Sequence, residues 1–310
     1  MSKISIFIST SVFGKESDLP LKILQQEGIE YQLNPFGRKL TVEETTEFLK
    51  DKHGVISGTE AYPAQVIRAL NKLKVISRCG AGTDGIDTEE LKKRGIALLR
   101  TENVHVQAVS ELTIGALVAL ARKIPQHQAD MRNMHWHRQA GTDIGSSVLG
   151  IVGFGKVGQR VAELLAAWGC KIIVYDPYYS GKPPGHVRLV RHPDELWSTA
   201  DFITLHLPLN SETHQFINSR VFSQLKKDVK IVNTARGELI SEEDLALFLE
   251  QNQMAAAFFD VFWEEPYRGK LLELPNFIAT PHIGTFTTET RIRMELEAVK
   301  NLINYFKGSI

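Results

Sequence analysis

The chain has 310 residues, 43% of them hydrophobic and 23% charged, a length that predicts about two domains, each able to bury its own core. Lys plus Arg and Asp plus Glu stand at 36 each, so no basic excess points to nucleic acid or to an anionic membrane surface. The first apolar run, Ile4 to Ile8, is too short for a signal core or a spanning helix, and no later run reaches about 18 uninterrupted apolar residues, so a cytoplasmic protein without a membrane partner is expected.

From the N-terminus, short β-branched runs alternate with helical periodicity, the pattern of βαβ units and a parallel sheet. Strands are predicted at Ile4–Ile8, Val55–Ser57, Lys74–Ser77 and Ile96–Leu99, and helices at Leu19–Glu27, Val42–Lys50, Ala64–Leu70 and Thr88–Lys93. Thr41 followed by Glu44 fits a capping box for the second helix. The first strand runs into Ser9-Thr10-Ser11 without a glycine triplet, so this α/β domain is not built to hold a dinucleotide. Two cysteines, Cys79 and Cys170, lie far apart with no zinc-type spacing and read as packed thiols; no metal is expected.

An apolar segment, Val106 to Arg122, reads as a linking helix. A second alternation then places strands at Val148–Val152, Lys171–Tyr175, Phe202–Leu205, Lys230–Val232, Ala256–Phe259 and Phe277–Ala279, six in the order a doubly wound nucleotide-binding domain requires. Gly181 to Gly185 is a loop. The closing segment, Thr287 to Phe306, carries Ile292, Val299, Leu302, Ile303 and Phe306 at helical spacing, so one of its faces needs a partner surface, expected on the first domain.

At the first strand of that second set, Gly153-Phe154-Gly155-Lys156-Val157-Gly158 joins a buried-strand pattern to an amphipathic helix. In this context the triplet is a pyrophosphate clamp: a turn, a close backbone approach, and tight helix–strand packing at a helix N-terminus. Asp176 closes the next strand 18 residues past Gly158, where a carboxylate grips the adenosine ribose and repels a 2′-phosphate, favouring NAD over NADP.

Glycines do not choose a chemistry, but three later stretches put polar residues at strand ends: Asn233-Thr-Ala-Arg-Gly237, Asp260-Val-Phe-Trp-Glu-Glu-Pro266 and Thr280-Pro-His-Ile-Gly284. Together with Arg78-Cys-Gly-Ala-Gly-Thr-Asp-Gly-Ile-Asp87, they give a chain that resembles the D-isomer-specific 2-hydroxyacid dehydrogenase family along nearly its whole length. The resemblance implies two doubly wound parallel-sheet α/β domains, a Rossmann NAD-binding domain (102–283) inserted in a flavodoxin-like substrate domain (1–101 plus 284–310), with the active site in the cleft between them. It implies that Arg236 binds the substrate carboxylate and polarises the keto oxygen, that His282 is the proton donor, and that Glu265 hydrogen-bonds this histidine. A glutamate there favours keto-acid chemistry over formate oxidation.

Ala81 and Gly82 would offer backbone N–H groups to the substrate carboxylate. By the same resemblance His206, Pro208 and Thr213 lie at the nicotinamide-side strand end, Thr234 and Ala235 precede the arginine as backbone contacts, and Asp260 is the acid near the nicotinamide amide. A homodimer is implied, with Val106–Arg122 as a contributor. The chain departs from many relatives at Gly85, at Val104-His105, and at Ser146-Ser147. His105 approaches the expected hinge and could alter substrate preference, though an exposed loop histidine is the simpler reading.

Residues 34–41 and the substrate loop look most like phosphoglycerate dehydrogenase-related members, for which Arg38, Lys39 and Arg78 are candidate phosphate cations. Glyoxylate or hydroxypyruvate reduction stays open beside 3-phosphoglycerate. No regulatory domain is expected beyond Ile310, and the alternative of a catalytically weak NAD-sensing protein of the corepressor type keeps the glycine triplet and makes the triad dispensable.

Overall fold

The computed structural model describes residues 3–308, which divide into two compact units: residues 3–105 with 286–308, and residues 106–285. The first unit alternates β1 (Ser5–Ile8), α1 (Leu19–Gln26), β2 (Glu30–Leu33), α2 (Val42–Leu49), β3 (Gly54–Ser57), α3 (Ala64–Ala69), β4 (Val75–Arg78), α4 (Thr88–Arg94) and β5 (Ala97–Arg100). Its five strands are all parallel, in the order β2-β1-β3-β4-β5. That is the flavodoxin-like order, with β1 and β3 at the point where the winding reverses.

The second unit begins with α5 (Val106–Ala121) and α6 (Ile124–Arg132), then β6 (Val148–Val152), α7 (Lys156–Leu165), β7 (Lys171–Tyr175), β8 (Val187–Val190), α8 (Asp194–Thr199), β9 (Phe202–Leu205), α9 (Ser219–Phe222), β10 (Lys230–Asn233), α10 (Glu242–Gln251), β11 (Ala256–Phe259) and β12 (Phe277–Ala279). Its sheet is parallel with seven strands, β12-β11-β10-β9-β6-β7-β8. This is the dinucleotide-binding order with β6 and β9 flanking the switch point, so ligands bind beyond the carboxyl ends of these strands. The central strands read as unbroken apolar runs because helices cover both faces, and two clusters of buried side chains fill those layers. The segment expected as a linking helix is α5, which packs on α7 and β10 within the second unit.

The chain ends in α11 (Thr288–Phe306), which belongs to the first unit and lies on α1, β3, β4 and β5. Its buried face is Met294, Ala298, Val299, Leu302 and Ile303, with Phe306 partly buried against the same cluster. Ile292 is only half-buried and stands outside that cluster; the face runs through Met294 instead. Two strands lie beyond the expected set. β2 has the pattern exposed, half-buried, exposed, exposed, and β8 closes one edge of the larger sheet; edge strands lack the double burial that marks their neighbours. At α2 the capping box forms in full: Thr41 Oγ1 accepts from the Glu44 N–H at 3.2 Å, and Glu44 Oε2 accepts from the Thr41 N–H at 2.9 Å. Among the described residues no helix is long and apolar enough to cross a membrane.

Candidate active site

The glycine turn connects β6 to α7. Gly153 has φ +93°, and a Cβ there would stand 2.6 Å from the His206 carbonyl oxygen; a Cβ at Gly158 would stand 2.2 Å from the Gly153 oxygen. Any side chain at either position forces the turn apart. At Gly155 the opposite holds: the position is exposed, and a Cβ would meet nothing within 4 Å. The open space lies at the N-terminus of a ten-residue helix whose N-cap makes no side-chain hydrogen bond. The N-terminus of a helix beside open space suits a pyrophosphate.

Phe154 turns its ring inward, 1% exposed and edge-on to Tyr179, so it can offer a ligand only its backbone. Its N–H donates to Asp176 Oδ2 at 2.7 Å, and Asp176 Oδ1 accepts from the Tyr178 N–H at 2.9 Å. The acid at the end of β7 is thereby fixed beside the glycine turn. Lys156 is exposed, and Val157 packs against the core. The residues present fit a dinucleotide with two free ribose hydroxyls.

After β9, the Thr213 hydroxyl donates to the Pro208 carbonyl at 2.6 Å and accepts from the Asn210 N–H at 2.9 Å, closing the loop on itself. His206 at the head of this loop has its Nε2 sealed from solvent without a hydrogen-bond partner, and burial pushes its pKa down to about 3, so the ring is neutral.

After β10, Asn233 is fully buried; its side chain accepts from the Ala235 N–H at 3.0 Å and donates to the Arg236 carbonyl at 2.7 Å. It shapes the turn that presents Arg236, whose Nη1 donates to the Ala235 carbonyl at 2.6 Å. Thr234 meets Thr113 of α5, hydroxyl to hydroxyl, at 3.1 Å. A Cβ on Gly237 would stand 2.3 Å from the Phe262 carbonyl carbon, so glycine lets the arginine turn press directly on the loop that follows β11.

That loop carries Glu265, whose Oε1 and Oε2 lie 3.0 and 2.9 Å from His282 Nδ1. Both side chains keep access to solvent, 30% and 39% exposed. His282 adopts a left-handed backbone (φ +54°), and the turn is held by Asp260, itself 1% exposed. Asp260 Oδ1 accepts from the Thr280 hydroxyl at 2.6 Å and the Ile283 N–H at 2.7 Å, and Oδ2 from the Gly284 N–H at 2.7 Å. Burial raises the Asp260 pKa, and these three donors oppose it. Its hydrogen bonds therefore go to the histidine turn; the sequence suggested a cofactor role and gave no sign of this clamp. Asn233, Gly237 and Thr280 stood in the quoted motifs, yet only the backbone geometry reveals their tasks.

Ala81 and Gly82 belong to the first unit, in the loop after β4. Arg38 forks onto Glu44 at 2.8 and 2.6 Å, and Arg78, 8% exposed, donates to the Gly58 carbonyl. Cys79 is buried and Cys170 half-buried, both free thiols. Among the described residues no three His, Cys, Asp or Glu side chains gather as a metal would require.

Comparison with known proteins matches residues 114–284 to the family model described as D-isomer specific 2-hydroxyacid dehydrogenase, NAD binding domain. The D-3-phosphoglycerate dehydrogenase of Pongo abelii is 38% identical over 293 residues, covering 93% of this chain and 54% of that protein. The hydroxypyruvate reductase of Thermotoga maritima is 38% identical over 256 residues, covering 80% and 82%. The NAD+-bound 3-phosphoglycerate dehydrogenase structure from Entamoeba histolytica is similar with a TM-score of 0.83 at 28% identity, covering 100% of this chain and 97% of that one. The chain spans about half the length of the phosphoglycerate dehydrogenases from animals that it matches.

Proposed function

Because the chain belongs to the D-isomer specific 2-hydroxyacid dehydrogenase family, with an NAD-binding domain in its second unit, we propose that it interconverts a small 2-keto acid and the D-2-hydroxy acid. The observation that carries this reading is the pair His282–Glu265 at 2.9 Å, on a turn clamped by Asp260. With Nδ1 engaged by the carboxylate, Nε2 is the ring nitrogen left to face a substrate oxygen.

When bound, the nicotinamide cofactor would supply a hydride as NADH in reduction and accept one as NAD+ in oxidation. Gly153, Gly155 and Gly158 with the N-terminus of α7 would hold its phosphates, Asp176 its ribose, and the loops of His206, Pro208 and Thr213 and of Thr234 and Ala235 would flank the reactive end. In reduction, the His282 Nε2–H gives its proton to the keto oxygen, and Glu265, engaged at Nδ1, orients the ring for that transfer. In oxidation the neutral ring takes the hydroxyl proton back. The Arg236 guanidinium binds the carboxylate and draws charge from the keto oxygen. Ala81 and Gly82 are proposed, on the family resemblance, as further carboxylate contacts.

The same reading includes a cytoplasmic homodimer. Met134 and Trp136, 91% and 77% exposed just past α6, give it an apolar patch to cover, and sedimentation across a concentration series tests it.

The deciding experiment is a panel of 2-keto acids with NADH. NADH oxidation is expected, and His282→Ala should lower kcat about 10²–10⁴-fold while leaving NADH affinity nearly unchanged. NADH binding without oxidation of any substrate would instead favour a nucleotide sensor.

A further inference from the structure

The loop that presents Glu265 is tied to the segment that presents Arg236 by contacts the mechanism above does not use. After β11 the chain runs through Phe262, Trp263 and Glu265 to Tyr267, two residues beyond the glutamate. The Tyr267 ring stacks on Phe262 with centroids 4.6 Å apart and planes at 13°, and it lies against Trp263 at 6.0 Å. Its hydroxyl donates to Glu242 Oε1 at 2.6 Å, and the Trp263 indole N–H donates to the Ile240 carbonyl at 2.7 Å. Ile240 and Glu242 follow shortly after Arg236, with Glu242 opening α10. Inside the loop, Glu265 Oε1 accepts from the Phe262 N–H at 3.3 Å, so the residue that stacks on the tyrosine also touches the carboxylate that meets His282.

Both members of the His282–Glu265 pair keep access to water, which competes for each of them, so the pair depends on a loop that holds the carboxylate in place. Glu264 and Glu265 are adjacent acids, and the conformation of this loop selects the second for His282. Packing on Phe262 needs only the tyrosine ring; the hydroxyl adds a bond to a carboxylate, stronger and more directional than one between neutral groups. Gly269 closes over that hydroxyl, where a Cβ would collide with the phenol oxygen and drive it off Glu242. We propose that Tyr267, stacked on Phe262 and hydrogen-bonded to Glu242, is a positioning residue that sets Glu265 against His282 and so acts on proton transfer without touching substrate. This rests on the dehydrogenase reading and deepens it.

The test is a double-mutant cycle on kcat, with NADH and the 2-keto acid that the panel finds fastest. Tyr267→Phe keeps the ring and loses the hydrogen bond; it should lower kcat about fivefold with the NADH dissociation constant unchanged. Glu242→Ala should match it, whereas Glu242→Gln, which keeps an acceptor, should stay within about twofold of the wild type. Added to Glu265→Ala, Tyr267→Phe should cost less than about a further twofold, because the group it acts through is gone. Equal losses in both backgrounds, or a Tyr267→Phe variant with wild-type kcat, overturn the proposal. A second readout needs no turnover: the 15N signal of the His282 ring, identified by its loss in His282→Ala, should move in Tyr267→Phe and in Gly269→Ala towards its position in Glu265→Ala. A signal that stays in place overturns the proposal as well. Should Tyr267→Phe fail to fold, Glu242→Ala and Gly269→Ala carry the same comparisons. If the wild type oxidises NADH with none of the keto acids, the dehydrogenase reading falls and the histidine signal alone decides whether Tyr267 positions Glu265.

Discussion

Asp260 is one buried carboxylate that fixes the backbone on either side of His282. Its two oxygens accept three hydrogen bonds from Thr280, Ile283 and Gly284, the residues on either side of His282. In Asp260→Asn, either orientation of the amide sets an NH2 group against a backbone N–H, an uncompensated loss of about 1–3 kcal/mol. The turn should loosen, and kcat should fall at least about tenfold with a smaller change in NADH affinity. Measuring both parameters separates this from a direct cofactor contact, which would weaken NADH binding and spare turnover.

His206 makes a second residue-level prediction. The folded protein keeps its imidazole neutral down to about pH 3, whereas the unfolded chain protonates near its ordinary 6.5. The contribution to stability is therefore complete above 6.5 and is lost as pH falls through the window from 6.5 towards about 3. The loss reaches roughly 2 kcal/mol by about pH 5. Urea midpoints across that range should show it, and His206→Leu should flatten the slope; an unchanged slope would mean the ring finds a proton acceptor in the folded state.

At the scale of elements, the packing of α11 is the most exposed to a single substitution. Leu302 is fully buried in the cluster that joins α11 to the sheet of the first unit, so Leu302→Ala should cost about 2–5 kcal/mol, read from denaturant unfolding. The helix was legible in the sequence because apolar residues recur at its period, and its need for a partner followed from that face. Ile292 misled because periodicity alone does not tell which of two adjacent rows meets the core. Central strands such as β6 and β10 were legible because double burial writes a continuous apolar run, whereas β2 (Glu-Tyr-Gln-Leu) and β8 (Val-Arg-Leu-Val) carry polar residues that break it. In the candidate site, the resemblance of the strand-end motifs to the family pointed to Arg236, Glu265 and His282. The clamp by Asp260, the wedge of Gly237 against Phe262 and the capture of Arg38 by Glu44 depend on loop conformations and side-chain directions that no local spacing encodes.

For the whole molecule, the order of the chain has a measurable consequence. The first unit is discontinuous, its sheet built between Ser5 and Arg100 and its last helix, Thr288–Phe306, supplied after the second unit is complete. Each unit has its own pair of apolar clusters, which predicts unfolding that departs from a single two-state transition. All four tryptophans, Trp136, Trp168, Trp197 and Trp263, fall in residues 106–285, so fluorescence reports the second unit while circular dichroism reports both. NAD+ at 100 times its dissociation constant should stabilise the unit that binds it by about 2.7 kcal/mol and move the fluorescence transition upwards. Leu302→Ala should instead lower the early part of the circular dichroism transition and leave the fluorescence midpoint in place. Coincident curves from the two probes, shifted together by ligand and by mutation alike, would show that the units unfold as one and that the discontinuous chain couples their cores.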